Sequence, residues 1–156
     1  MKKLLTSILS IFFIISHAQN ACESNRYISE VFSSYNITSG VYYGSADPYG
    51  LLSNQDLYLD VYEPAGDTLE NRPVIIHKFG GGYAIGWRSE PNIPDFAEMY
   101  TKRGFVFISI DYRLGFNPLE AASAERAVYR GILDLRSALR FIVDNANTYG
   151  IDTSNI

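Results

Sequence analysis

Two nearly uninterrupted apolar runs, separated by a segment of helix length, constrain the fold of this chain most strongly. Residues 73–79 and 105–110 are rich in β-branched side chains and lack the polar alternation of a strand with one face in water. Such runs are typical of strands buried on both faces of a parallel sheet. Residues 93–103 predict a helix between them, with Gly104 just past its end, where a left-handed cap forms easily. The pattern predicts a strand–helix–strand unit with a right-handed crossover. The inner face of this helix is predicted to carry Phe96, Met99 and Tyr100.

The longest helical pattern covers residues 123–149. Gly150 is its predicted stop, and Ile151 is expected to pack back on the last turn. Residues 152–155 predict a turn, and Ile156 is interpreted as the first residue of a further strand, so part of the helix is expected to stay uncovered. The apolar residues that recur at spacings of three and four are Val128, Ile132, Leu135, Leu139, Ile142 and Ala146.

Upstream patterns predict two antiparallel strands. Residues 37–44 form one β-like run, and Asp-Pro-Tyr-Gly at 47–50 predicts a turn. Residues 56–62 alternate, with Leu57, Leu59 and Val61 on one face, which predicts a half-buried strand. Antiparallel strands followed by a parallel unit predict an α/β fold, with a mixed, mainly parallel sheet and helices on both faces.

Residues 1–18 have the pattern of a secretory signal peptide. Lys2 and Lys3 precede a mostly apolar stretch over residues 4–15, and Ser-His-Ala follows, which predicts cleavage before Gln19. A membrane anchor is the alternative, but the apolar stretch is shorter than the roughly 20 residues of a spanning helix. A lipoprotein anchored through Cys22 is a weaker alternative. Residues 19–156 are then the predicted mature part, in the periplasm or outside the cell.

Charge and cysteine content limit the partners of this chain. Cleavage would remove Lys2 and Lys3 and take the net charge from −4 to −6. An acidic chain without clustered basic residues is not expected to bind nucleic acid or an anionic membrane surface. Cys22 is the sole cysteine, so it is a free thiol or pairs with sequence outside this chain. One cysteine and so few histidines predict no metal site. No cofactor is expected either.

Three consecutive glycines, residues 80–82, directly follow the first buried run. Glycines allow a sharp turn and present backbone N–H groups without side chains in the way. Two such groups can bind the negative oxygen that develops when an acyl carbonyl is attacked. A plain glycine-rich turn is the simpler interpretation. A phosphate-binding loop is a weak alternative, because no Gly-Lys-Ser/Thr follows.

The segments around the glycines favour the catalytic interpretation. Residues 56–156 resemble the carboxylesterase and hormone-sensitive-lipase-like branch of the α/β-hydrolases. The resemblance depends on the order and spacing of modest motifs. These are Leu-Tyr-Leu-Asp-Val-Tyr-Glu-Pro at 57–64, Arg-Pro-Val-Ile-Ile at 72–76, Gly-Gly-Gly-Tyr at 80–83 with Gly86 and Arg88, Asp-Tyr-Arg-Leu-Gly at 111–115, and residues 134–140 and 145–152.

The resemblance implies a fold and residue roles. The chain would be the N-terminal, incomplete part of an α/β-hydrolase domain, and the N–H groups of Gly81 and Gly82 would form the oxyanion hole. Phe79 stands where the family's loop histidine usually is, so a hydrogen bond that orders the loop is expected to be lost. Tyr83 and Trp87 are candidates for lining a substrate pocket, or they simply pack.

Other candidate residues have structural interpretations. His77 precedes any nucleophile, whereas the family's chain order is serine, acid, histidine, so His77 is predicted to be a strand residue and not the base. Asp111 and Arg113 are predicted to form a buried or half-buried ion pair that positions the loop after the strand. Asp152 with Asn155 is predicted to be turn chemistry and not a calcium site.

No Gly-x-Ser-x-Gly occurs in the 156 residues. The resemblance implies that this motif follows soon after Ile156, with the acid and histidine later. The expected function is that of a secreted serine hydrolase acting on carboxylic esters, small or carbohydrate-linked, with this portion inactive alone. A peptidase of the same superfamily and a non-catalytic binding or adhesion module are the alternatives, and the oligomeric state stays open.

Overall fold

A computed structural model of the protein describes residues 25–48 and 54–155. The predicted signal peptide, Cys22, half of the predicted turn at 47–50 and Ile156 lie outside the described residues. No helix in the described ranges has both the length and the apolar composition needed to cross a membrane. In chain order the elements are β1 (Tyr35–Ala46), β2 (Gln55–Pro64), β3 (Val74–Lys78), α1 (Ile93–Thr101), β4 (Val106–Ile110), α2 (Ser123–Asp144) and a short 3₁₀ helix (Thr153–Asn155).

The four strands form one mixed sheet in the order β1-β2-β4-β3. β1 pairs with β2, and β2 with β4, in antiparallel directions. β3 and β4 are parallel, with Ile76 opposite Ile108, and α1 connects them. The predicted mixed α/β sheet is therefore confirmed, including the parallel strand–helix–strand unit.

Strand β2 is more buried than its alternation predicted. Leu57, Leu59 and Val61 lie in the main core, as expected. Asp60 and Tyr62 on the other face are also buried, so the prediction of a half-buried strand is wrong for its second half. The reason is a second, smaller core on that face, formed by Tyr62, Phe107 and the helix residues Ile93 and Ala97.

Strand β3 departs from prediction in the opposite direction. β4 is buried at all five positions, whereas β3 is only partly buried at each of its five. β3 lies at the edge of the described sheet, where β4 covers one side only. A parallel bridge between Arg72 and Ile151 begins just before β3 on its other side, with Asp152 N–H donating to the Arg72 carbonyl at 2.8 Å. The chain that leaves the long helix therefore returns to the segment just before β3 and then forms the 3₁₀ helix Thr153–Asn155.

Helix α1 buries Ile93, Ala97 and Thr101, with Phe96 and Tyr100 packed beside them. Met99 was predicted on this face, but 44% of it is exposed. At 100° per residue Met99 lies on the opposite side of the helix from Ala97, so that assignment is wrong. Gly104 follows with a φ of +96°, which confirms the left-handed cap.

Helix α2 buries Ile142 in the main core with Leu135 packed beside it, as predicted, but most of its other buried positions are small or polar, among them Ala127, Asp134 and Ala138. Val128 and Ile132 were predicted to be buried, but they are 38% and 55% exposed. Small side chains bring the backbone of α2 close to the sheet, and this turns the larger apolar residues outward. The expected uncovered apolar flank is therefore present in the described part of the chain. It consists of Val128, Tyr129, Ile132, Leu133 and Val143.

The end of α2 lies earlier than predicted, but the residues that follow it make the predicted contacts. The helix ends at Asp144, and irregular turns lead to Gly150, whose φ is +56°. Ile151 is buried and its N–H donates to the Ala146 carbonyl at 2.9 Å, so it packs back as predicted. The Asp152 carboxylate accepts from the Ser154 N–H at 2.9 Å, which is the predicted turn chemistry.

Candidate active site

The glycine run leaves the carboxyl end of β3 in a tight, left-handed turn. The φ angles are +98° at Gly81 and +64° at both Gly82 and Tyr83. The Gly81 carbonyl accepts hydrogen bonds from the N–H groups of Ala84 at 3.1 Å and Ile85 at 3.3 Å. A Cβ built on Gly81 would lie 2.0 Å from the Ile85 carbonyl oxygen. Only glycine therefore fits at position 81 in this turn.

The N–H groups of Gly81 and Gly82 are the donors that the sequence predicted for an oxyanion. Both residues are exposed, and within the described ranges neither N–H donates a hydrogen bond. Two neighbouring unpaired N–H groups at the end of a parallel strand can both turn toward a developing negative oxygen. Their assignment to an oxyanion hole stays a prediction.

Residues 79–88 form the glycine loop, and Phe79 holds its first end by packing. Its side chain is 4% exposed, and its ring stacks on Tyr112 with 4.2 Å between centroids. The loop closes over the other side of the ring at Gly86, where a Cβ would lie 2.5 Å from the Phe79 ring. The Tyr112 hydroxyl donates to the Phe79 carbonyl at 2.9 Å, and burial raises the pKa of Tyr112 to about 12, which keeps that proton in place. A stacked ring thus holds the loop where the family's imidazole would stand.

Arg88 fastens the other end of the loop by charge. Its guanidinium contacts the Asp111 carboxylate at 2.7 Å and the Asp60 carboxylate at 3.1 Å. The Ser109 hydroxyl donates to the Arg88 carbonyl at 2.7 Å. Asp60 also accepts the Gly40 N–H at 2.7 Å, so one arginine ties the loop to β1, β2 and the end of β4. The loop is therefore held at both ends before any ligand binds.

The predicted ion pair between Asp111 and Arg113 is wrong. Asp111 pairs with Arg88, and Arg113 pairs with Asp134 on α2 at 2.7 Å, with a further hydrogen bond from the Arg113 N–H to Asp134 at 2.8 Å. Both partners are buried, Arg113 to 7% and Asp134 to 2% exposure. The chain turns after β4, which directs the two side chains to different neighbours. The signal in the sequence was a carboxylate, Asp134, at a position between the small residues of the buried helix face.

The two candidate pocket residues occupy different environments. Tyr83 is half-buried, its ring lies edge-on to Tyr112 at 5.5 Å, and its carbonyl accepts the N–H groups of Gly115 at 2.8 Å and Phe116 at 3.0 Å. Trp87 is 55% exposed beside the loop. Tyr83 is therefore largely a packing residue, and Trp87 is the one whose surface is open to a ligand.

Lys78 lies beside the glycine loop and was not among the candidate residues predicted from the sequence. Its Nζ lies 3.8 Å from the ring centroid of Tyr83 and 3.7 Å from that of Tyr112, so the ammonium is held between two aromatic faces. The signal was present, because Lys78 is a charged residue inside a run that is otherwise typical of a buried strand.

His77 lies within β3, as predicted, opposite Ser109 of β4. Its ring stacks between Phe96 at 5.6 Å and Phe107 at 5.7 Å, on the face of the sheet that α1 covers. Burial lowers the pKa of His77, against the opposing charge of Glu90. Its Nδ1 is buried without a hydrogen-bond partner in the described residues.

Two surface cavities of about 270 and 590 Å³ adjoin α2, and the glycine loop contributes to neither. Arg113, Arg126, Arg130, Tyr129 and Asp47 line the smaller one. Across residues 25–48 and 54–155, no three His, Cys, Asp or Glu side chains gather in a way that could hold a metal ion.

Residues 59–156 match the sequence profile of the BD-FAE family, which takes in the whole glycine loop, β4 and α2. The chain belongs to the BD-FAE family. BD-FAE is a family of α/β-hydrolases, so the predicted fold class and the predicted relationship to carboxylesterases are both confirmed.

Relatives of this BD-FAE chain include esterases and lipases. Gut esterase 1 of Caenorhabditis briggsae is 38% identical over 103 residues, 64% of this chain and 18% of that protein. Secreted lipase 1 of Botryotinia fuckeliana is 29% identical over 106 residues, with the same coverage of 64% and 18%. Esterase 2 of Thermogutta terrifontis, phosphorylated by paraoxon, is similar in structure with a TM-score of 0.56 and 26% identity, over 80% of this chain and 42% of that one. The chain thus spans less than a quarter of the length of these two curated relatives.

Proposed function

We propose that this chain carries the oxyanion hole of a secreted serine esterase. The observation that supports this most directly is the pair of N–H groups of Gly81 and Gly82, which donate to no described residue. They lie in a loop fastened at one end by Phe79 and at the other by Arg88. Oxyanion stabilisation works through donors that are already in position, because the site then spends no free energy on reorganisation as charge develops.

The proposed chemistry is acyl transfer. A serine hydroxyl attacks the carbonyl carbon of a carboxylic ester, and a histidine takes the hydroxyl proton. The carbonyl oxygen becomes negative and accepts hydrogen bonds from Gly81 and Gly82. Collapse of this intermediate expels the alcohol and leaves an acyl-serine, which water then hydrolyses. The Gly-x-Ser-x-Gly nucleophile, the acid and the histidine are expected in sequence that follows Ile156.

The position of the missing nucleophile is supported by the path of the chain after α2. The isolated parallel bridge between Arg72 and Ile151 brings the chain that leaves α2 beside the residue two positions before β3, ahead of the 3₁₀ helix Thr153–Asn155. A strand that continues from there ends beside the glycine loop, because parallel strands have their carboxyl ends at the same edge of a sheet. A nucleophile at the end of such a strand would face Gly81 and Gly82.

The proposed location is outside the cytoplasm, and the proposed substrates are small or carbohydrate-linked carboxylic esters. The signal-peptide pattern of residues 1–18 supports export. Exposed Trp87 beside the loop supplies an apolar surface for an acyl or sugar group.

The test compares residues 19–156 with the protein extended to the end of its reading frame. The extended protein is expected to hydrolyse p-nitrophenyl acetate and to lose that activity after treatment with paraoxon. The shorter chain is expected to be inactive. Turnover by the shorter chain that paraoxon abolishes would contradict the absence of a nucleophile. An extended protein without a Gly-x-Ser-x-Gly and without turnover would indicate a binding module, and preferential cleavage of p-nitroanilides would indicate a peptidase.

A further inference from the structure

The environment of Lys78 is unusual for a lysine in a strand. Strand alternation places it on the same face as Val74 and Ile76, which pack against the main core. Lys78 takes part in none of the ion pairs between described residues. Its ammonium instead lies 3.8 Å and 3.7 Å from the ring centroids of Tyr83 and Tyr112, well inside the range of a cation–π contact.

The two rings belong to the two segments that set the path of the glycine loop. Tyr112 donates to the Phe79 carbonyl at 2.9 Å and to the Gly80 carbonyl at 3.2 Å. Tyr83 follows the glycines with a left-handed φ of +64°, a conformation that is uncommon for a bulky residue. An ammonium held between these rings therefore connects Tyr112, which binds the carbonyls at the start of the loop, to Tyr83, the residue that follows the third glycine.

Helix α2 is shaped to accommodate this arrangement. Gly131 lies in the helix interior, where glycine weakens a helix relative to alanine. A Cβ at Gly131 would lie 2.7 Å from the Tyr83 ring and 3.3 Å from the Lys78 Nζ. The helix thus lacks a side chain at a turn where Tyr83 and Lys78 approach it, which indicates that their position matters more than local helix stability.

We propose that Lys78 is a positioning residue for the oxyanion hole. Its ammonium holds Tyr83 and Tyr112 together and so fixes the directions of the Gly81 and Gly82 N–H groups. Lys78 acts through the two rings and does not contact the substrate. The catalytic consequence rests on the proposed esterase function, whereas the effect on loop order does not.

The first experiment measures kcat and KM for p-nitrophenyl acetate with the protein extended to the end of its reading frame. Lys78→Met keeps the length of the side chain and removes its charge, so kcat is expected to fall about tenfold while KM changes less than about twofold. Lys78→Arg restores a cation that stacks on aromatic faces and is expected to recover kcat to within about threefold. Lys102→Met, which removes the charge of an i,i+4 surface pair with Glu98, is the matched control and is expected to leave kcat unchanged.

The second experiment measures amide hydrogen exchange and needs no activity. The reporters are the Ala84 and Ile85 N–H groups, which donate to Gly81, and the Gly115 and Phe116 N–H groups, which donate to Tyr83. Lys78→Met is expected to speed their exchange about tenfold relative to Lys102→Met.

A further variant covers the case in which Lys78→Met does not fold. Gly131→Ala strengthens the helix and places a methyl group against the Tyr83 ring, so it is expected to lower kcat and loosen the same amides without removing any charge. The proposal is overturned if Lys78→Met keeps wild-type kcat and exchange, or if Lys78→Arg is as impaired as Lys78→Met. An inactive wild-type protein overturns the esterase function alone, because the exchange measurement still decides the role of Lys78.

Discussion

Alanine substitutions at the three glycines separate backbone strain from steric contact within one loop. Gly80 has no positive φ, and a Cβ there meets nothing within 4 Å, so Gly80→Ala is expected to change the free energy of unfolding by less than about 1 kcal/mol. Gly82 is equally open but has a φ of +64°, which costs an alanine about 1–2 kcal/mol. Gly81 adds a contact of 2.0 Å with the Ile85 carbonyl to a φ of +98°. Strain and overpacking together make the expected loss about 2–5 kcal/mol.

Urea denaturation of residues 19–156, followed by the fluorescence of Trp87, the only tryptophan among them, measures this series. With a slope of about 2 kcal/mol per M, the midpoint is expected to fall by roughly 1–2.5 M for Gly81→Ala, by about 0.5–1 M for Gly82→Ala and by less than about 0.5 M for Gly80→Ala. In the extended protein, displacement of one donor is expected to reduce kcat about 100-fold or more for Gly81→Ala. Equal midpoints for Gly80→Ala and Gly81→Ala would refute the reasoning, because only the contact with Ile85 and the backbone angle distinguish the two sites.

Three further predictions concern charge, pH and surface. Asp134→Ala leaves the guanidinium of Arg113, which is 7% exposed, without its carboxylate, so the free energy of unfolding is expected to fall by about 3–5 kcal/mol in urea denaturation. The control is Glu120→Gln, which breaks an exposed ion pair and is expected to cost less than about 1 kcal/mol. Similar losses for the two variants would contradict the prediction. Because burial lowers the pKa of His77 below 6.5, the unfolded state binds more protons, so stability is expected to fall as pH drops from 6.5 toward the folded-state pKa. His77→Phe should remove that slope, measured by urea denaturation between about pH 7 and pH 5. Ile132→Gln, at a residue 55% exposed on the apolar flank of α2, is expected to change the free energy of unfolding by less than about 0.5 kcal/mol in urea denaturation, and a loss above about 2 kcal/mol would contradict its exposure.

The sequence predicted the elements whose signals are local. β4 and the cap at Gly104 depend on neighbouring residues, and both were correct, whereas the helix predicted to stop at Gly150 ends at Asp144. The buried faces of the helices were partly wrong for one reason. The spacing of large apolar residues assigned Met99 and Ile132 to the buried faces, but both are exposed. Close packing against the sheet favours small residues at many buried positions, and the spacing of large apolar side chains does not detect these.

The candidate site divides in the same way. Gly81 and Gly82 were found because a glycine run after a buried strand is a contiguous pattern, although their role as donors stays a prediction. The contacts that hold the loop join residues far apart in sequence: Arg88 and Asp60 are 28 positions apart, and Arg113 and Asp134 are 21. The carboxylate that each arginine contacts is determined by the assembled sheet, so the local sequence does not predict these ion pairs. Only the charge of Lys78 inside an apolar strand was visible beforehand.

The bridge between Arg72 and Ile151 also bears on how the protein is made. The Arg72 side chain donates to the Gly150 carbonyl across 78 positions, so β3 leaves the ribosome long before the segment that pairs with Arg72 is synthesised. Closing a loop of that length costs roughly 4 kcal/mol of chain entropy. Until α2 has docked, an apolar strand with unpaired backbone groups is open to strands of other nascent chains. The speed at which α2 folds onto the sheet therefore sets the time window for aggregation during synthesis.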